Sequence, residues 1–252
     1  MGRTWVHVVL VSMSRFVLDL RVGPRTLEMA QELVASVALA CRDRLMPLFL
    51  VDDHIPYRAA ILKVFGQIRH RRRRRRRGRR RQPDLKPAPG LLVGVVKKVR
   101  DAKGHLVRVR HRALYGRLRQ IRQRIRRLGI GREVNTSHIE RLNGTMRGQQ
   151  ARLTRRSRSG SRRTECLAWA LALWRDVYNW VRPHRALRAP LGGRRCPALA
   201  LGLADHLWSL VEYICHPVHV SDLQRDLWAE QRNAVQESAL DRYLRKKALP
   251  IS

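Results

Sequence analysis

The sequence predicts a protein of the α/β or α+β class with an unusually large positive charge. Apolar, β-branched runs lead the chain and longer stretches with helical spacing close it, which is the order expected for a sheet domain with an appended helical tail. The hydrophobic fraction of 44% over 252 residues is sufficient for a core. The 54 Lys and Arg against 19 Asp and Glu give a net charge of +35. Like charges at this density repel one another in a compact fold, and proteins of this kind usually bind a polyanionic partner.

The first part of the chain predicts two strands, a helix, a strand and a second helix. Residues 5–11 and 16–22 are apolar and β-branched, which is typical of strands. From 26 to about 42 the apolar residues recur at helical spacing. Residues 47–51 are a short apolar run that we interpret as a buried strand, and residues 56–65 carry a proline in their first turn, as helices often do.

The second part predicts a hairpin and several helices. Residues 91–99 and 106–110 read as strands around the turn-forming residues 101–104. Helical spacing follows over 113–128, 135–153 and about 162–181. In the tail, Ser221 and Gln224 form a capping box that begins a last helix. We therefore divide the chain into residues 1–68 and 91–188, two parts of one domain, residues 69–90, a basic insertion between them, and residues 189–252, a helical tail.

Most of the positive charge lies in one stretch of the chain. Between His54 and Arg132 there are 28 Lys and Arg and two acids, a net +26 of the +35. Residues 69–81 contain eleven Arg in thirteen positions and residues 83–89 are rich in proline, so this arm is expected to be disordered in the free protein. A solvated surface mixes the two signs of charge and this segment does not, which favours the phosphate backbone of duplex DNA as partner, with RNA as an open alternative. A localisation signal and an expanded Arg run without function are the other interpretations of residues 69–81.

Several classes of protein are disfavoured. No apolar run approaches the roughly 20 residues of a membrane span, so no membrane partner is expected. No CxxC pair supports a zinc finger. The apolar run 5–13 contains His7 and is not followed by a signal-peptide cleavage site, so we expect a cytoplasmic, nucleoid-associated protein.

Isolated acids in this basic chain are the candidates for a catalytic site. Asp52 and Asp53 follow a predicted strand at its carboxyl end, where open α/β sheets place their sites. Glu140 lies in the first turn of a predicted helix. Carboxylates brought together can hold Mg²⁺, and two such ions about 4 Å apart activate water in phosphodiester chemistry. Structural roles stay open for each: a turn or helix cap for the two aspartates, and a capping box with Ser137 for Glu140.

Three motifs close the predicted domain in order: NTSHIERLNGTMR (135–147), RLTRRS (152–157) and YNWVRPHRAL (178–187). Together they resemble the closing catalytic region of insertion-sequence DDE transposases. PLFLVDDHIPY (47–57), followed by KVFG (63–66), is similar to the strand that bears the second catalytic Asp of this family. WVHVVLV (5–11) and RVGPRT (21–26) resemble its first two strands.

The resemblance implies a ribonuclease-H-like fold, a mixed sheet flanked by helices. It also implies three carboxylates and two divalent metal ions that drive strand cleavage at element ends and strand transfer. Asp52 matches the second Asp and Glu140 the Glu, so these are the candidate catalytic and metal-binding residues for Mg²⁺ or Mn²⁺. The candidate DNA-binding residues are Arg71, Arg72, Arg73, Arg74, Arg75, Arg76, Arg77, Lys97, Lys98, Arg141, Arg147, Arg155, Arg156 and His184. For His184 a packed or capping role is the alternative. A homo-oligomer is a further partner that the resemblance leaves open.

Three departures from the family pattern bear on activity. The first catalytic Asp falls at Val11, followed by Ser12, and neither side chain binds Mg²⁺ well; Asp19 on the neighbouring strand is the candidate substitute. The 88 positions from Asp52 to Glu140 are more than is usual and include the Arg arm. No DNA-reading domain precedes the first strand, as in an N-terminally truncated member.

Three functions therefore stay open. The first is a transposase-derived domain that binds DNA, with cleavage and joining reduced or lost. The second is a competent nuclease or transposase that uses Asp52, Glu140 and a substitute acid. The third is a non-enzymatic basic nucleic-acid-binding protein that keeps the motifs as scaffold. Dependence on metal separates the second function from the other two.

Overall fold

The computed structural model describes residues 4–41, 46–69, 84–153, 160–161, 163–187 and 193–216. Its strands are β1 (Trp5–Val11), β2 (Phe16–Gly23), β3 (Leu48–Asp52), β4 (Gly66–Arg69), β5 (Asp84–Pro87), β6 (Leu92–Arg100) and β7 (Leu106–Tyr115). Its α-helices are α1 (Leu27–Ala40), α2 (Ile55–Phe65), α3 (Leu118–Arg127), α4 (Ser137–Gln149), α5 (Thr164–Asp176), α6 (Pro197–Leu201) and α7 (Leu210–Cys215). Short turns of other helix types are Ala151–Leu153, Val177–Val181 and Arg185–Leu187. The mixed α/β class is confirmed.

The chain forms two compact units, Met1–Ser209 and Leu210–Ser252, and the described element of the second unit is α7. In the first unit the described strands form three sheets. The strands β1 and β2 make an antiparallel hairpin, and β4 pairs with β5. The third sheet has the order β3-β6-β7, with β3 parallel to β6 and β6 antiparallel to β7. The predicted mixed sheet flanked by helices is present in this part of the chain.

The two faces of the mixed sheet are covered by different helices. Successive residues of a strand point to opposite faces, and β3 follows this rule: Phe49 and Val51 pack in the cluster that contains α1 and α2, whereas Leu48 and Leu50 pack with α3. The strand was predicted as buried, but its residues are only half-buried because β3 lies at an edge of the sheet. A separate apolar cluster joins the β1–β2 hairpin to α4 and α5.

The helix predicted over 113–128 begins later than expected. Residues up to Tyr115 continue the β7 ladder, with Tyr115 opposite Val93. Gly116 then adopts φ 77°, a left-handed conformation that favours glycine, and the helix starts at Leu118. Apolar spacing alone cannot separate the end of a half-buried strand from the start of a helix that follows it at once.

The insertion predicted over 69–90 is partly strand. Arg69 pairs with Asp84 at one end of the β4–β5 ladder, and Gly66 pairs with Pro87 at the other. The predicted disorder of the insertion is therefore wrong for Arg69 and for residues 84–87. The arginines Arg71–Arg77 and the rest of the arm up to residue 83 lie outside the described residues.

Two helix ends in the closing motifs differ from expectation. The capping box of Ser137 and Glu140 is wrong, because Thr136 is the residue before α4 and the amide and hydroxyl of Ser137 both donate to Asn135 Oδ1, at 3.3 and 2.8 Å. The helix predicted over 162–181 is α-helical to Asp176 and ends in the wider π turn, Val177–Val181. The capping box at Ser221 and Gln224 lies outside the described residues.

A buried asparagine of this π turn connects it to the hairpin. Asn179 is 1% exposed. Its Oδ1 accepts from the backbone amide of Val17 at 2.9 Å, and its Nδ2 donates to the carbonyl of the same residue at 2.9 Å. The amide side chain thus satisfies both backbone groups of Val17 as a neighbouring strand would.

We expect Asn179→Ala to lower the free energy of unfolding by about 2–4 kcal/mol, because it leaves two buried backbone groups without partners. Urea unfolding at neutral pH measures the loss. The matched control is Gln149→Ala, which removes the acceptor of one half-buried bond from Trp174 Nε1 (2.8 Å) and should cost about 1 kcal/mol or less. Equal losses in the two variants would contradict the role given to Asn179.

Candidate functional site

The first candidate acid lies at the carboxyl end of the parallel strand pair. Asp52 is the last residue of β3, is exposed, and stands opposite Val96 of β6. With Asp53, His54 and Arg112 it lines a shallow groove at this end of the sheet. The placement of Asp52 agrees with the rule that open α/β sheets carry their sites at the carboxyl ends of their strands.

A buried histidine and a tyrosine that the sequence analysis did not single out lie near Asp52. His7, in the middle of β1, is 4% exposed; its Nε2 lies 3.2 Å from the carbonyl of Pro24 and its Nδ1 lies 3.3 Å from the hydroxyl of Tyr57. Since a carbonyl only accepts, Nε2 carries the proton and Nδ1 accepts from the tyrosine. Burial raises the pKa of Tyr57 to about 12, so its hydroxyl stays a donor.

The carboxylate of Asp52 acts electrostatically on this pair and on the adjacent His54. Burial lowers the pKa of His7 and the pKa of His54, and Asp52 opposes both shifts. The contact of His7 with Tyr57 joins the first hairpin to α2, which follows Asp52 in the chain, although β1 and β3 are not hydrogen-bonded to each other. A signal was present in the sequence, because His7 is the one ionisable residue of the apolar strand WVHVVLV.

The second candidate acid is held by a lysine of β6. Glu140 Oε1 accepts from Lys98 Nζ at 2.5 Å and from Thr136 Oγ1 at 2.6 Å. The Lys98 ammonium and the Thr136 hydroxyl lower the pKa of Glu140. Lys98 is two residues beyond Val96, so by strand alternation it points to the same face of the sheet as Asp52. Glu140 therefore approaches the end of the sheet that carries Asp52, but it contacts an ammonium group there.

The other candidate acids are also bound to cations. Asp53 pairs with Lys97 Nζ at 3.4 Å and with Arg112 Nη2 at 3.5 Å. Asp19, the candidate substitute for the first Asp, stands opposite Val9 and accepts from Arg21 Nε at 2.9 Å. Among the described residues, no three His, Cys, Asp or Glu side chains are grouped so that they could hold a metal ion. This arrangement does not fit a three-carboxylate metal site.

The predicted DNA-binding residues fall into several environments. Lys97 and Lys98 are exposed on β6 and paired with acids. Arg141 and Arg147 are exposed on α4, whereas Arg71–Arg77, Arg155 and Arg156 lie outside the described residues. His184 is half-buried, with its ring 4.4 Å from that of Tyr178, and burial lowers its pKa. This geometry is that of a packed histidine.

Many exposed cations lie on α3 and on the β6–β7 hairpin, which we call the second hairpin, and by strand alternation those of the hairpin occupy both of its faces. These cations are Lys97, Lys98, Arg100, Lys103, Arg108, Arg110, Arg112, Arg117, Arg119, Arg126 and Arg127. The acids between Leu92 and Val134 are Asp101 and Glu133. Asp101 pairs with His105 at 3.3 Å and Glu133 with Arg122 at 2.8 Å, so the cations outnumber their local partners. We call these eleven residues the cationic surface.

Comparisons with protein-family models, with curated proteins and with solved structures give no match to this chain. None of the described helices is long and apolar enough to cross a membrane.

We expect Asp52→Asn to lower the pKa of His7 and of His54 further, since the aspartate carboxylate opposes the effect of burial on both imidazoles. An NMR titration of the imidazole resonances measures the shifts. Asp53→Asn is the matched control, because Asp53 pairs with Lys97 and Arg112 instead, and it should leave both histidines nearly unchanged. Unaltered titration of His7 in the Asp52 variant would disprove the coupling.

Proposed function

We propose that this chain is a DNA-binding domain of the DDE transposase type, with a ribonuclease-H-like fold, in which strand cleavage and transfer are reduced or lost. The observation that carries the proposal is the cationic surface on the sheet whose parallel strand ends at Asp52. The element order also supports it: a hairpin, a helix, a strand that ends in an aspartate, and later a helix whose glutamate approaches the same edge. A cytoplasmic, nucleoid-associated location follows from DNA binding.

The charge and shape of the second hairpin suit duplex DNA. Strands of nine and ten residues extend about 30 Å at roughly 3.3 Å per residue, enough to pass several phosphates of one strand. A two-stranded ribbon also fits the major groove, which is about 12 Å wide. The cations of the surface gain affinity by releasing condensed counterions, whatever the base sequence. We therefore propose the phosphate backbone, and no particular target sequence, as the ligand of this surface.

The residues at the sheet edge support the proposal that DNA cleavage is reduced. The position of the first carboxylate holds Val11, and the carboxylate of Glu140 is bound by Lys98 and Thr136. Phosphodiester cleavage by two metal ions needs their ligands placed together. The alternative function, a non-enzymatic nucleic-acid-binding protein derived from a transposase, is favoured by the same lysine contact. Both functions share the cationic surface.

DNA binding is tested by its dependence on salt. We expect the double variant Arg108→Gln, Arg110→Gln to lower the slope of log affinity against log salt by about 2, because each lost phosphate contact removes about 0.9 from the slope. Deletion of residues 69–81 should lower the slope as well, if the arm touches the backbone. Fluorescence anisotropy with a labelled duplex gives the affinities.

The charge-matched control for this experiment is Lys63→Gln, Arg163→Gln. Both side chains are exposed, on α2 and immediately before α5, and lie outside the cationic surface. This variant should keep the slope of the wild type. Equal slopes in the hairpin variant and the control would mean that binding depends on overall charge and not on the hairpin.

Metal binding tests the assignment of the sheet edge. We expect calorimetry with Mg²⁺ and Mn²⁺ to detect binding only after Val11→Asp, since this change restores a third carboxylate. Ser12→Asp, one position further along the chain, is the matched control and should not bind. Binding by the wild-type chain that Glu140→Gln abolishes would instead establish a competent metal site and overturn reduced catalysis. Absence of binding in every variant would refute the assignment of Val11.

A further inference from the structure

The second hairpin extends past the end of β3, the strand that pairs with it in the mixed sheet. The ladder between β3 and β6 ends at Asp52 and Val96, and β6 continues to Arg100 with β7 as its partner. Burial changes at the same point, because Val96 is buried whereas every residue from 97 to 110 except Val99 is exposed. At roughly 3.3 Å per residue, this protruding part, residues 97–110, reaches about 15 Å beyond β3.

Hydrogen bonds fix the tip of this protruding part. The backbone amide of Asp101 donates to the carbonyl of His105 at 3.0 Å, and the amide of Gly104 donates to the carbonyl of Asp101 at 3.0 Å. The Asp101 carboxylate accepts from the amide of His105 at 2.7 Å, and Arg100 Nη1 donates to the Gly104 carbonyl at 2.7 Å. A tip that is already ordered loses less conformational entropy on binding than a flexible loop does.

Exposed apolar side chains follow the tip, among residues that are mostly cationic. Leu106 is 51% exposed, Val107 65% and Val109 41%, whereas six residues between 97 and 110 are Lys or Arg. One exposed apolar residue needs no explanation, but neighbouring ones that form a patch mark interaction sites. Hydrocarbon gains nothing from phosphate oxygens, so binding to the DNA backbone does not account for this patch.

A β-bulge occurs at the two most exposed residues of the patch. Val99 lies opposite Arg108 and Arg100 lies opposite Leu106, so Val107 is the extra residue of β7 at this point. The bulge interrupts the alternation that sends neighbouring side chains of a regular strand to opposite faces. Bulges bend a strand and re-aim its side chains, often next to functional sites. The side chains that this bulge re-aims are the apolar ones next to the tip.

We propose that Leu106 and Val107 form a wedge that enters a base step of duplex DNA and bends the duplex. Apolar side chains inserted between base pairs partly unstack them and kink the duplex by about 20–90°. The faces of unstacked bases give hydrocarbon a surface to bury against, which phosphates do not. Arg100, Lys103 and Arg108 lie close to the wedge in the chain and can bind phosphates beside the opened step. The wedge rests on the proposed function, since it requires that this hairpin binds duplex DNA.

Bending is measured by energy transfer between dyes at the two ends of a short duplex. We expect the wild type to raise the transfer efficiency, because a kink brings the two ends closer together. The double variant Leu106→Ser, Val107→Ser should bind the same duplex with an unchanged salt slope but should not raise the transfer. Its Tm should stay near that of the wild type, since both side chains are exposed. The matched control is Leu39→Ser, Leu173→Ser, which changes exposed leucines of α1 and α5 and should bend the duplex as the wild type does.

A duplex with one central mismatch tests the unstacking itself. A mismatched step costs less free energy to open than a matched one, so the wild type should bind the mismatched duplex about tenfold more tightly than the matched duplex. The variant Leu106→Ser, Val107→Ser should bind the two duplexes equally. A wild type that shows neither bending nor this preference, or a double variant that keeps both, would overturn the wedge.

Fluorescence anisotropy with the matched duplex separates this inference from the proposed function. Binding with the expected salt slope but without bending would overturn the wedge alone, whereas failure of the wild type to bind any duplex would overturn both. Sedimentation without DNA measures the oligomeric state of the wild type and of the double variant. A difference between them would assign Leu106 and Val107 to a contact between two copies of the chain, and this would also overturn the wedge.

Discussion

The shortage of negative charge is the constraint on which the other features of this molecule depend. With 54 Lys and Arg against 19 Asp and Glu, carboxylates become counter-charges. Asp53, Glu133 and Glu140 each bind at least one lysine or arginine. These acidic side chains therefore have a structural role as partners in ion pairs, whether or not they also take part in chemistry. The same shortage leaves a surplus of exposed cations on the second hairpin and on α3, which suits a polyanion.

Two departures from the transposase pattern can be compared by their effect on metal binding: the ion pair between Lys98 and Glu140, and the valine at position 11. The side chains of Lys98 and Glu140 are 37% and 50% exposed, and ion pairs so exposed contribute about 1 kcal/mol or less. A divalent ion with a full ligand set outweighs a contact of that size. The lysine alone therefore does not exclude metal from Glu140. Under the proposed function, valine at position 11 matters more, because a hydrocarbon side chain offers no ligand at all.

Local pattern predicted most elements but not the contacts between them. The first hairpin, α1 and α2 follow from spacing, proline and strand composition within ten to fifteen residues of chain. The end of β7 at Tyr115 was missed, because it depends on pairing with Val93. The tyrosine partner of His7 lies 50 residues away, and the partner of Asn179 lies 162 residues away, so neither contact leaves a local pattern. Asp52 was placed correctly at a strand end, since strand and turn residues are adjacent in sequence.

DNA binding and DNA cleavage differ in how strongly each depends on a single side chain. Each phosphate contact adds a similar increment to affinity, so a surface of eleven cations tolerates the loss of several. A two-metal site needs all its ligands at once, so under the proposed function a single substitution at the end of β1 would remove most of the cleavage activity. Mutation therefore abolishes cleavage long before it abolishes DNA binding. Under the proposed function, valine at position 11 beside an intact cationic surface is the state that this asymmetry would produce.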